Sequence, residues 1–377
     1  MKILLLDMDG VLIHARAYHR ALQDTVSLIG KALGYQNVVL TQDEIELIES
    51  VGVTSEWDSA AICSALMMQR VWQEFSFVFL HSDPPLPEVP RHNLQPPDFK
   101  AFYSSPAMSS MAELSGLVRA ERILLSDDPG HNLSQVEALR SLLQGARSIK
   151  GSITHRLFQE FVLGSDIFNT FYGLQPYMQV EGYLLFDDES TLSPKMHSQL
   201  LDWLKEPEQV VAIFTNRPSK PPPGYFDTPE AELGLKALKL EGLPLVGRGS
   251  MAWLAERRGM DPEALLKPSA VHVLAGLAHA SRLSLQESLE LSASLALEGQ
   301  VDLIWQNLAG ADVYVIEDSI KGLHSGKRAR DLLLDVGIRI DLHLIGVSKS
   351  INKQQALRAA GAQQVFEDVN AVLEMIL

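Results

Sequence analysis

The residues best equipped for chemistry come at the very start of the chain. Asp7 and Asp9 stand one residue apart, directly after the apolar run 3–6 and directly before Gly10. A short continuous apolar run suits a strand buried on both faces, and open parallel sheets bind ligands at the carboxyl ends of their strands. Two carboxylates at alternate positions there face the sheet edge, and Gly10 lets the backbone turn close to a ligand. Neighbouring carboxylates call for a counter-cation, and an oxygen-only site suits Mg²⁺. Taken alone, Asp-x-Asp-Gly also describes a plain surface turn.

Three later segments repeat the pattern of an apolar strand or a tight turn ending in polar chemistry. The run 210–214 ends in Thr215-Asn216-Arg217-Pro218. A hydroxyl and nearby backbone N–H groups at a strand end can cradle a phosphate, although a capped turn has the same composition. Lys267-Pro268-Ser269 precedes a helix starting at about Ala270. A lysine held there can neutralise charge developing on a phosphate, whereas an ordinary surface lysine would look the same in sequence. The run 312–316 leads into Glu317-Asp318-Ser319, with Gly322 beyond. Adjacent carboxylates at the end of a buried strand are costly unless paired or metal-bound.

Together these segments resemble the four motifs of the haloacid dehalogenase superfamily, in the family's chain order. Asp7-Met8-Asp9-Gly10-Val11-Leu12 is similar to the first motif at every position, and Glu-Asp-Ser-x-x-Gly at 317–322 is a close form of the fourth. Thr215 stands for the second and Lys267-Pro268 for the third, where Leu266 replaces the usual glycine. The resemblance implies that Asp7 attacks the phosphorus of a phosphate ester to give an aspartyl-phosphate, with Asp9 as general acid and then base. It implies that Thr215 and Lys267 hold the transferring oxygens, with Asn216 and Arg217 on the substrate. Asp7, the backbone carbonyl of Asp9 and Asp318 would hold Mg²⁺, and Glu317 would bind it directly or through water. Family members that break carbon–halogen bonds lack the second aspartate, so Asp9 favours phosphate chemistry. The reading is a Mg²⁺-dependent phosphatase acting on a small phosphorylated metabolite. A phosphomutase acting on a sugar phosphate uses the same intermediate and stays open, as does a non-enzymatic binding or regulatory protein that kept the fold.

From 194 onward helices and strands alternate: strands at 210–214, 243–246, 313–316, 342–347 and from 364, with helices at 195–205, 229–239, 251–258, from 269, and at 284–298, 320–334 and 352–360. Alternation of this kind specifies an α/β fold with a Rossmann-like parallel-sheet core, which the strand at 3–6 must join. The core is therefore discontinuous, 1–13 with 190–377, and 14–189 is an insertion. The resemblance identifies that insertion as a large, mainly helical cap domain, lying between the first two motifs and closing over the site. Helices are expected there at 15–33, at 43–49 after a Thr41 cap, and at 60–77, 133–143 and 152–163, followed by a strand at 183–186. Residues 52–58 read as a loop that offers Trp57 to the substrate. A Trp-Asp segment at this place faintly resembles a branch of capped phosphatases, and a tryptophan packed inside the cap fits equally. Residues 82–110 hold Pro84, Pro85, Pro87, Pro90, Pro96, Pro97 and Pro106 and show no periodicity, so they read as a Pro-rich loop or arm suited to self-association or a partner. His14 stands where the capped branch commonly has aspartate, which affects hinge or substrate contacts and not the chemistry.

Composition narrows the alternatives. In 377 residues, 46% apolar, there is enough material for a large core and two domains. A formal net charge of −15 without a basic face argues against nucleic acid or an anionic membrane as partner. Cys63 is the single cysteine, which excludes an internal disulfide and a cysteine zinc site and suits a reducing compartment. Four apolar residues before Asp7 are too few for a signal-peptide core, and no run reaches about 18 apolar residues, so a soluble cytoplasmic protein is expected. The eleven histidines form neither His-x-His nor His-Glu-x-x-His. Two lookalikes carry no site on this reading. The segment 322–328 is one residue short of a P-loop, and Asp187-Asp188-Glu189 reads as a solvated hinge.

Overall fold

A computed structural model describes residues 1–53, 55–75, 80, 86–111, 113–127 and 130–377. The chain divides into two compact units, Met1–Ala15 with Asp188–Leu377, and Arg16–Asp187.

The first unit carries the strands β1 Lys2–Leu6, β2 Ile13–His14, β3 Glu189–Ser190, β4 Gln209–Phe214, β5 Leu245–Val246, β6 Asp312–Glu317, β7 Asp341–Val347 and β8 Gln364–Phe366. Six of them form a parallel sheet in the order β5-β4-β1-β6-β7-β8, so the N-terminal strand lies inside it. Successive side chains of β1 point to opposite faces, and both faces are covered. Ile3 and Leu5 pack with Phe214, Leu274, Leu277 and Leu323 on one side. Leu4 and Leu6 pack with Leu200, Ile213, Leu235 and Leu373 on the other. These four β1 residues are each 0% exposed, which is why the strand reads as an unbroken apolar run instead of an alternating one. In register, Leu6 lies beside Ile213 on β4 and Ile316 on β6. The residues that follow, Asp7, Phe214-Thr215 and Glu317-Asp318, therefore leave the sheet along one edge.

The two short strands β2 and β3 pair antiparallel as a separate ribbon. Two residues carry no periodicity, so the ribbon has no signal in the sequence. The strand expected at 183–186 is a 3₁₀ turn, Tyr183–Leu185. Only Leu184 of that apolar run is buried, while Leu185 and Phe186 are exposed, so the run lacks the second covered face that a core strand needs.

The second unit is helical. Arg16–Ala32, Glu56–Val71 and Ile153–Leu163 pack against one another. Thr41 opens the helix Gln42–Ser50 with a capping box, Thr41 to the Glu44 N–H and Glu44 back to the Thr41 N–H. Two expectations fail here. The helix Glu56–Val71 begins inside the segment expected as a loop at 52–58. The Pro-rich stretch 82–110 contains two short helices, Phe99–Tyr103 capped by Asp98 and Pro106–Ser110 capped by Ser105 with proline in its first turn. Helices Gly116–Asp127 and Ser165–Tyr172 have no counterpart among the expected elements. Thr54, the helix end expected at 76–77, and Pro84 and Pro85 lie outside the described residues.

Candidate active site

At the carboxyl edge of the sheet, Asp7 leaves β1 with its backbone N–H on the Ile316 carbonyl at 3.0 Å and one carboxylate oxygen accepting from the Met8 N–H at 2.8 Å. Lys267 reaches the same place from the turn before the helix Ala270–Ala280. Its Nζ lies 2.8 Å from Asp7 Oδ1 and 2.5 Å from Glu317 Oε1. The ammonium also sits over the Phe214 ring, 4.0 Å from its centroid, so the residue that ends β4 supplies a cation–π floor. Ser269 caps the following helix by accepting from the Val271 N–H, which fixes the turn that aims Lys267 inward.

Burial and the Glu317 charge push the Asp7 carboxyl well above the usual carboxylate range, Lys267 opposes this, and Asp318 and Asp9 add to the rise. Burial by itself would lower the Lys267 pKa, but the charges of Asp7 and Glu317 raise it on balance, so the lysine stays charged. On the next helix turn His272 is fully buried. Its Nε2 meets the Val246 carbonyl at 3.1 Å, and burial together with Lys267 pushes it down to about 3. It is a neutral core histidine.

Glu317 is 0% exposed and well supplied with donors, since Oε2 accepts from the Ser319 N–H at 3.2 Å and the Ser319 hydroxyl at 2.7 Å. Gly322 makes room for it, because a Cβ there would fall 1.9 Å from the Glu317 carboxyl carbon. Asp318 turns the other way, toward Gly10 and Lys353, whose Nζ lies 2.5 Å from Asp318 Oδ2. At Gly10, with φ +73, a Cβ would lie 2.3 Å from the same oxygen. The glycine of the first motif is thus required twice, by backbone conformation and by the approach of Asp318. Gly10, His14, Thr191, Asp318, Ser348 and Lys353 line a cleft of about 340 Å³ in this unit.

The donor set fits a hard divalent cation. Asp7, Glu317 and Asp318 each offer a carboxylate oxygen, all within 4.8 Å of one another. Burial raises Asp318, as does the Glu317 charge, while Lys353 pulls it down. Three crowded carboxylates against two lysines leave negative charge that a cation with oxygen ligands relieves.

The remaining expected residues divide. Thr215 is 0% exposed, and its hydroxyl accepts from the Arg217 N–H at 3.2 Å, while Asn216 is exposed beside it. The Arg217 guanidinium lies on Asp9, with Nε at 2.8 and 3.0 Å from the two oxygens and Nη2 at 2.6 Å from Oδ1. The same Nη2 donates to Asp188 Oδ2 at 2.8 Å, and the side chains of Arg217 and Asp188 are each 1% exposed. Asp188 is therefore no solvated hinge. It is a buried carboxylate in an ion pair, and the sequence signal for it is the Asp187-Asp188 doublet. Trp57 lies in the helical unit, its ring 4.6 Å from His155 and 6.5 Å from Phe158. Lys353 has no signal in the sequence, being one of two lysines around an exposed helix start.

No protein-family model matches the sequence, and no curated protein matches it. Solved structures do. An X-ray structure from the Northeast Structural Genomics Consortium, target ZR25, matches with a TM-score of 0.58 at 17% identity, covering 100% of this chain and 98% of that one. Phosphatase Tt82 from Thermococcus thioreducens matches at 0.46 and 13%, covering 99% and 98%. A haloacid dehalogenase-like family hydrolase from Streptococcus pneumoniae matches at 0.33 and 11%, covering 100% and 99%. The likeness in fold rests on the first of these.

Proposed function

We propose that this chain, an α/β protein whose Rossmann-like core has the haloacid dehalogenase architecture, is a Mg²⁺-dependent phosphoric monoester hydrolase acting on a small phosphorylated metabolite. The observation that carries the reading is Asp7 at the end of the central strand, 2.8 Å from a buried lysine and within 4.8 Å of two further carboxylates. A surface turn has no use for a buried lysine among three acids.

In this reading Asp7 Oδ attacks the ester phosphorus while the bond from phosphorus to the ester oxygen breaks, and the Asp9 carboxyl proton goes to that oxygen. Water then attacks the phosphorus of the aspartyl-phosphate. Its proton passes to Asp9, the bond from phosphorus to Asp7 breaks, and inorganic phosphate leaves. Asp7 must be ionised to attack, which Lys267 favours against the crowding by Glu317 and Asp318. Lys267, Thr215 and Asn216 hold the phosphoryl oxygens as charge develops on them. Asp7, Asp318 and the Asp9 carbonyl would hold Mg²⁺, with Glu317 as the ligand already satisfied by Lys267 and Ser319. When bound, Mg²⁺ offsets the charge of the carboxylates and of the phosphoryl group.

Hydrolysis of p-nitrophenyl phosphate with and without Mg²⁺, by the wild type and by Asp7→Asn, tests this. Turnover that needs Mg²⁺ and is lost in Asp7→Asn is expected. Turnover that survives the substitution, or an isomerised sugar phosphate with no phosphate released, would overturn the hydrolase reading.

A further inference from the structure

Two lysines serve the three acids of the site, and they are held in different ways. Lys267 lies between Asp7 and Glu317 and over the Phe214 ring, with its side chain 3% exposed. Lys353 binds Asp318, Nζ to Oδ2 at 2.5 Å, and its side chain is 46% exposed. One lysine is enclosed and the other stands at the rim.

Lys353 comes from outside the four motifs. β7 ends at Val347, and the helix Ile351–Ala359 follows with Lys353 in its first turn. The Ser350 N–H donates to Ser348 Oγ at 3.1 Å, Gln354 Nε2 donates to the Ser348 carbonyl at 2.8 Å, and Ser350 Oγ accepts from the Lys353 N–H at 3.5 Å. These bonds fix the turn from which the lysine reaches out. The first turn is the positive end of a helix and favours acids, yet this one carries a lysine and no acid. Pairing with Asp318 offsets that cost. Asp318 is held on its other side by Gly10, where a Cβ would lie 2.3 Å from the same Oδ2.

Charge decides which lysine can stay beside a divalent cation. As ligands Asp7, Glu317 and Asp318 are carboxylates, so three negative charges face the two ammonium groups and leave one over, while Mg²⁺ brings two positive charges. With Lys353 withdrawn the excess is two, which Mg²⁺ balances. Lys267 has no solvent to withdraw into. Lys353 has the cleft of about 340 Å³ that it lines with Asp318, Ser348 and Glu367, and a strongly hydrated ammonium on a flexible stem suits that move.

We propose that Lys353 is the counter-ion that Asp318 exchanges for Mg²⁺, so that this lysine sets the cation affinity of the site. The inference rests on the assignment of Asp318 to the cation in the reading above and adds to it a residue that none of the motifs contains. When the cation leaves, Lys353 returns to Asp318 and keeps the carboxylate paired beside Gly10.

Calorimetric titration of Mg²⁺ into the wild type, Lys353→Met and Lys349→Met tests this in about 0.15 M salt, where charges more than about 8 Å apart are largely screened. Lys349 lines the same cleft, so its replacement controls for a general loss of positive charge. Coupling between two sites is typically worth about 5–150-fold in affinity. Lys353→Met should bind Mg²⁺ at least about fivefold more tightly than the wild type, with Lys349→Met within about twofold of it. A smaller gain or a loss in Lys353→Met, or an equal gain in Lys349→Met, would overturn the proposal. If Lys353→Met does not fold, Lys353→Gln, which keeps a donor for Asp318 without the charge, is read against the same limits. A wild type that does not bind Mg²⁺ would instead overturn the cation-dependent reading and this inference with it.

Discussion

Replacing Lys267 by methionine keeps a side chain of similar length while removing a cation that lies 2.8 Å from Asp7 and 2.5 Å from Glu317. Neither acid can turn to water, since their side chains are 9% and 0% exposed. Asp7 retains the Met8 N–H and Glu317 retains the two Ser319 donors, which soften the loss without supplying charge. Breaking a buried pair from one side costs about 3–5 kcal/mol, because the stranded charge stays desolvated. For a unit of this size each kcal/mol moves the midpoint by about 2–4 °C, so the thermal transition of the sheet-containing unit should fall by roughly 6–20 °C. Calorimetry at about pH 7.5 with a chelator present measures this without metal compensation. The double variant Lys267→Met with Glu317→Gln strands one acid instead of two and should recover about half of the loss, a coupling outside simple additivity. A fall of less than about 2 °C, or losses that simply add, would refute the claim that this lysine is the counter-ion of a buried acidic pair.

The site is legible where a residue's chemistry is tied to the end of a buried strand. The apolar run at 3–6, 0% exposed throughout, announces a central parallel strand, and the sheet register then brings Asp7 and Glu317-Asp318 together without any further specification. Lys267 can be placed by its proline turn. What stays hidden depends on pairing across the chain. The Asp187-Asp188 doublet is visible in the sequence but its pairing is not, Lys353 is an ordinary base there, and only the fold brings them to 2.8 Å from Arg217 and 2.5 Å from Asp318. Arg217 is expected on substrate because it follows Thr215-Asn216, yet its guanidinium meets two acids, one of them two residues beyond the first-motif aspartate. The helical unit is harder still. Its short helices are set by the caps Asp98 and Ser105 and not by apolar period, and β2 and β3 in the other unit are too short to leave a pattern.

Other expectations follow from single residues. Gly10→Ala forces a Cβ into αL backbone, costing about 1–2 kcal/mol, and against Asp318 Oδ2, so calorimetric Mg²⁺ affinity should weaken roughly tenfold or more; unchanged affinity would refute the steric argument. Cys63 is fully buried, and burial pushes its thiol up to about 12, so Ellman's reagent should leave the native protein unlabelled and react with one thiol in urea; rapid native labelling would contradict the packing. Asp227 accepts from the Thr228 N–H at 2.9 Å, but its Oδ2 has no hydrogen-bond partner among the described residues, and burial pushes the carboxyl up to about 7 against the pull of Arg248. Its unfolded value is about 3.9, so between about pH 4 and 7 the folded state binds more protons, and stability falls as pH rises through that window before levelling. An asparagine side chain cannot ionise, so Asp227→Asn should exceed the wild type at about pH 8 by about 1–3 kcal/mol after allowance for partial exposure, with the advantage gone near about pH 4. Urea denaturation at the two pH values decides it, and an advantage that is constant with pH would show that lost packing or a changed turn, and not a buried charge, governs this position.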